Sequence, residues 1–165
     1  MTNATPPRLA EARADFWFVT QVVGCLWRDN RLWAALLGAS FVARTALDWL
    51  VPTVDFHSRS TMSTFLGVGI LLCAGFSAAW RSHSMWTGAL AGITTVLIAA
   101  IISMVGATWL LLLFHDQGTW AAIQGSGGLA EVFTLPIMLV VPGACLGFIG
   151  GVFGCAVGMR ARPVS

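Results

Sequence analysis

Residues 142–160 read "PGACLGFIGGVFGCAVGMR", nineteen positions of which six are glycine. Three structures compete for such a stretch: a loop, a phosphate-binding turn, or a membrane helix with one small face. The helical phase decides between them. With about 100° of rotation per residue from Gly143, Gly147, Gly150, Gly151, Gly154 and Gly158 fall with it inside an arc of about 100°. Leu146, Ile149, Val152, Phe153 and Val157 fall outside that arc. A loop has no reason to keep such a phase. A dinucleotide cradle requires a preceding strand and a following acidic partner, and neither is present. The stretch reads as a helix whose glycines form a smooth stripe about 22 Å long. Such a stripe is an extended small-xxx-small interface. It is expected to lie against another membrane helix, from this chain or from a partner subunit. A bulky residue at Gly147, Gly151 or Gly154 is expected to disrupt that packing.

The rest of the chain supports lipid as its solvent. Of the 165 residues 57% are hydrophobic and 10% charged, against about a quarter charged in a soluble domain. Nine arginines, seven acids and no lysine cannot cover a water-facing surface of this size. The net charge of +2 gives no reason to expect a nucleic-acid partner. Cys25, Cys73, Cys145 and Cys155 all sit in apolar segments without CxxC spacing, and read as small hydrophobes.

The hydropathy pattern predicts an all-α integral membrane protein, a bundle of four transmembrane helices preceded by an interfacial helix. Residues 1–12 read as a disordered tail. Residues 13–30 are apolar but short and bracketed by charges. They fit a helix lying along the membrane surface, or equally an apolar helix packed on the end of the bundle. The membrane domain, 31–160, has expected spans at about 31–51, 62–80, 86–114 and 129–159, and 161–165 form a second tail. The third span exceeds what lipid requires and is expected to tilt. Pro142, inside the fourth, cannot donate to the Met138 carbonyl and is expected to kink the helix. "WAALLGA" at Trp33 and "WTGALAG" at Trp86 open two spans alike. Either a duplicated hairpin or a shared kind of interface explains the echo. Most arginines fall on one side when both chain ends are cytoplasmic, and tryptophans flank the spans. The absence of lysine beside abundant Ala, Gly and Arg points to a bacterial cytoplasmic membrane.

Few groups can carry chemistry. Arg44 and Asp48 share a helix face at i, i+4 inside the first span. They read as a local intramembrane ion pair, as part of an ion, proton or anion path, or as a contact to another subunit. Glu131, Asp55, Asp116, His57 and His115 gather on the opposite side from the chain ends, but their spacing defines no metal site. His83 lies in the loop on the other side. No nucleophile, phosphate-binding or metalloprotease motif is present, and no catalytic, metal or cofactor site is expected. The sequence therefore supports a non-enzymatic multi-pass membrane protein that acts by helix packing, as an accessory subunit or a homo-oligomer. The alternative is a small transporter or channel with Arg44 and Asp48 in its path.

Overall fold

A computed structural model describes the backbone of residues 7–51, 56–114, 116–125 and 128–160. Side chains are described within these ranges except at 7–27, 29, 56–57, 128, 130–132 and 160. Residues 1–6 of the expected N-terminal tail, the expected tail at 161–165, and the side chains of Cys25, Asp55, His57, His115 and Glu131 lie outside them. The fold is all-α: α1 (Pro7–Leu50), α2 (Phe56–Ser82), α3 (Met85–Leu113), α4 (Gln117–Gly125), α5 (Gly128–Met138) and α6 (Val140–Arg160).

Local chemistry explains most of the boundaries. α1 stops before Val51-Pro52, because the residue preceding a proline avoids the helical region. His83 ends α2 with a left-handed φ of 54°, while its N–H still donates to the Ala79 carbonyl at 2.8 Å. Ser84, extended at φ −131°, then starts α3. Asp116 opens α4 by accepting at Oδ1 from the Thr119 hydroxyl (2.5 Å) and at Oδ2 from the Thr119 N–H (3.4 Å). Those bonds hold its carboxyl below the usual carboxylate range. The helical run breaks at Leu139, between α5 and α6. Leu139 N–H still donates to Leu135, and Gly143 N–H to Leu139. Pro142 cannot donate to Met138, the residue just before the break.

Two expectations are corrected. Among the described residues three helices, not four, are long and apolar enough to cross a membrane: Ser58–Ser82, Met85–Leu113 and Val140–Met159. The expected span at 31–51 is not one of them, because Arg44 and Asp48 lower the hydropathy of its second half. Nor is 13–30 a separate interfacial element. It runs unbroken into 31–50 as one helix, since "RDNR" at 28–31 contains neither glycine nor proline to interrupt it. The expectation that both chain ends share one side rested on an even number of spans and loses that basis. The expected span at 129–159 is divided into α5, too short to cross, and α6.

Packing directions follow from paired contacts. Asn30 meets Ala91 and Thr94, and Gly38 and Val42 lie against Ile102 and Gly106, so α1 runs parallel to α3 along its flank. α6 lies between α2 and α3, with which it makes its most extensive contacts. Leu37, Ile70, Leu71, Val96 and Ala99 form the core where α1, α2 and α3 converge. α4 closes one end, where Ile123 packs with Trp49 and Ala107. Outside this core large apolar side chains are bare, among them Phe65 (73% exposed), Leu112 (68%) and Phe153 (63%). Such a surface belongs in hydrocarbon, and the protein is a small, helical, membrane-embedded protein with extensive interhelical packing.

Candidate functional site

The site is built where the C-terminal end of α1 meets the first turns of α2. Arg44 Nε lies 3.6 Å from Asp48 Oδ2, and both side chains are largely covered, 21% and 10% exposed. That distance exceeds the roughly 2.7–2.9 Å of a tight charged hydrogen bond, so the pair is a loose one. Arg44 Nη2 also donates to Ser60 Oγ at 3.3 Å, which ties α1 to α2. Arg59 strengthens the same junction. Its Nη1 donates to the carbonyls of Leu47 (3.1 Å), which also accepts from the Val51 N–H (3.0 Å), and of Val51 (2.8 Å), just past the helix end where carbonyls lack intrahelical donors. A guanidinium there also complements the helix dipole.

Beside this junction lies a cavity of about 400 Å³. Its polar end consists of Arg44, Ser60, Ser63 and Thr64; Asp48 is not among its lining residues. Ser63 and Thr64 both donate their hydroxyl hydrogens to the Ser60 carbonyl, at 2.9 and 2.8 Å. The wall beyond them is apolar and includes Leu37, Phe41, Leu71 and Val96. Leu139 and Pro142, which bracket the start of α6, close it on the far side. Thr64 on α2 and Pro142 on α6 are exposed, and α5, which packs on α3, α4 and α6, makes no comparable contact with α2 among the described residues. The cavity therefore opens sideways, between α2 and the α5–α6 break.

The glycine stripe of α6 lies elsewhere. Gly143, Gly147 and Gly151 oppose Gly92, Gly88 and Met85 of α3. Gly150, Gly154 and Gly158 oppose Leu72, Phe76 and the Trp80–His83 turn of α2. A Cβ placed on Gly147 would lie 2.5 Å from the Gly88 carbonyl oxygen and 2.8 Å from the Gly92 Cα. One placed on Gly75 of α2 would meet the Gly147 carbonyl oxygen. Backbone approaches backbone on both flanks, leaving no space for side chains between the helices.

The structure thus brings Arg44 and Pro142 to one cavity, with Asp48 paired to the arginine but outside the lining, and the six glycines in the adjoining helix interface. Sequence reasoning overlooked the hydroxyl wall. Its signal was "SRSTMST" at 58–64, a run of small polar residues at the start of an otherwise apolar helix. Asn30 was also overlooked. It is 1% exposed, donates to the Ala91 carbonyl and to Thr94, and leaves its Oδ1 without a hydrogen-bond partner among the described residues. Compared with known proteins, the chain matches no family model, no curated protein and no solved structure.

Proposed function

We propose that this protein binds a small solute inside the membrane, at the Arg44 cavity, as a carrier or binding protein that performs no chemistry on it. The observation that carries this reading is the composition of the cavity wall. A cation and three hydroxyls stand at one end of an apolar chamber, and an interrupted helix lines its side. Interrupted helices that border a cavity are a recurring way to build solute sites in membrane proteins. Arg44, largely covered at the junction of α1 and α2 (21% exposed), gains a use if it faces a ligand. The other reading, an accessory subunit or homo-oligomer recruited through the α6 stripe, lacks a comparable observation, since α2 and α3 of the same chain occupy that stripe. The arginine-rich, lysine-free composition supports placing the protein in a bacterial cytoplasmic membrane.

Thiol labelling tests the reading. In a chain with its native cysteines replaced by alanine, Ser63→Cys is introduced, and Ala99→Cys (0% exposed at the native alanine) serves as the sealed control. Both are held in lipid nanodiscs and treated with alkyl methanethiosulfonates that partition into lipid, one carrying an anionic and one a cationic end group. The reading requires Cys at 63 to react, faster with the anionic reagent, while the control stays inert. Equal silence at both positions would leave the cavity without access and end the proposal.

A further inference from the structure

From the same cavity, and resting on the reading that it is a binding site, we infer the class of ligand: a single-chain amphiphile with a compact anionic head, a fatty-acid-like carboxylate being the simplest member. Three observations converge. The first is electrostatic. The cavity lining includes Arg44 but not Asp48, the carboxylate that its Nε approaches at 3.6 Å. A head group entering the cavity meets the positive partner of the pair. Ser60, Ser63 and Thr64 stand beside it, and a hydroxyl can turn its hydrogen from a backbone carbonyl to a stronger anionic acceptor. The second is shape. At about 30 Å³ for each water-sized group, 400 Å³ takes about a dozen heavy atoms. That fits one medium-length chain with its head and is too little for a two-chain phospholipid. The third is access. The opening lies between α2 and the α5–α6 break, past exposed Thr64 and Pro142, at the flank of two membrane-crossing helices. A molecule that already partitions into lipid can enter from the side, keep its tail against Phe41 and Leu71, and place its head at Arg44. The 3.6 Å pair with Asp48 orients the guanidinium when the cavity holds no head group, and the ligand need not displace Asp48.

The test is saturable binding of radiolabelled dodecanoate to the full chain in a neutral maltoside detergent, with dodecanol, dodecyl phosphate, dodecyltrimethylammonium and two-chain phosphatidic acid as competitors. Dodecanoate should bind once per chain. Dodecyl phosphate should compete with it, and dodecanol should be weaker by about tenfold or more, the worth of a charged hydrogen bond. The trimethylammonium and the two-chain lipid should not compete. Two variants report separately. The double change Arg44→Gln, Asp48→Asn removes the charge without stranding a carboxylate, and should lower dodecanoate affinity by about tenfold while leaving dodecanol unchanged. Val68→Trp fills the chamber without touching the charge, and should abolish both. If one variant fails to fold, the other still decides. Equal binding of dodecanoate and dodecanol, or displacement by phosphatidic acid, would overturn the ligand class even while Cys at 63 remains accessible. No binding of any chain while Cys at 63 reacts would do the same and leave a site for a more polar solute. An unreactive Cys at 63 would remove the underlying reading itself.

Discussion

Gly147 is the position at which the α6 packing can be measured most sharply. Replacing it with alanine adds one methyl group 2.5 Å from the Gly88 carbonyl oxygen, 2.8 Å from the Gly92 Cα and 3.0 Å from the Gly92 nitrogen. None of these can rotate away as a side-chain tip would, so α6 and α3 must separate. Overpacking of a close interior costs about 1–3 kcal/mol, and a rigid obstacle belongs in the upper half of that range. Alanine returns up to about 1 kcal/mol as the better helix former. The net expectation is a loss of about 1–2 kcal/mol, a roughly 5- to 30-fold fall in the folded-to-unfolded ratio. Gly69→Ala is the control. It lies on exposed α2 surface with nothing within 4 Å of the added atom, so only the propensity gain applies and the protein should be as stable as before or slightly more so. Reversible unfolding by sodium dodecyl sulfate titrated into mixed micelles, followed by tryptophan fluorescence, gives both values. If Gly147→Ala tracks Gly69→Ala, the backbone contact between α6 and α3 is not close, and the packing argument is wrong.

Three further outcomes are expected. Arg59→Met removes the cap on the Val51 carbonyl and a second donor to the Leu47 carbonyl and should destabilise by about 1 kcal/mol, as for an exposed charged hydrogen bond; an unchanged unfolding midpoint in the same titration would show that water replaces it at no cost. The Asp116 carboxyl is held below its ordinary 3.8 by Thr119, so its contribution is fully present above that pH and is lost as pH falls through the lowered value. Amide exchange at Thr119, corrected for its intrinsic pH dependence, should then lose protection below pH 3.8 in the native protein and show no such step in Asp116→Asn. His83 holds a left-handed φ, so His83→Val should be less stable than His83→Gly by about 1–2 kcal/mol; equal unfolding midpoints would refute that backbone assignment.

Different parts of the molecule were legible in the sequence to different degrees, for physical reasons. The membrane character follows from composition, because sixteen charged side chains cannot cover 165 residues in water. Pro52, and the polar "RSHS" at 81–84, end their helices by local chemistry alone, so the end of α1, the end of α2 and both limits of α3 fall close to those expected, whereas α2 begins at Phe56, six residues before the expected 62. The status of 31–51 was misjudged because length and a flanking proline look the same in a spanning helix and in a helix packed along the bundle. The two charges that separate the cases were read as features within a span instead of as a reduction of its hydropathy. The 13–30 boundary was placed at a cluster of charges, but charges do not break helices as glycine and proline do. The cavity could not be read at all. Arg44, Ser60 and Pro142 are brought together only by the crossing of α1, α2 and α6, and no local pattern encodes that meeting.

Nuclear Overhauser transfer from dodecanoate to the protein, in perdeuterated neutral detergent, tests the central claim most directly. Leu71 lines the cavity and is 4% exposed, so a chain dissolved in the surrounding micelle has no route to its methyl groups. Ile101 and Val105, 62% and 65% exposed, report contact with that micelle. The account predicts transfer from the chain to Leu71 and Phe41, lost in the Arg44→Gln, Asp48→Asn double variant. Transfer to Ile101 and Val105 with none to Leu71 would contradict it.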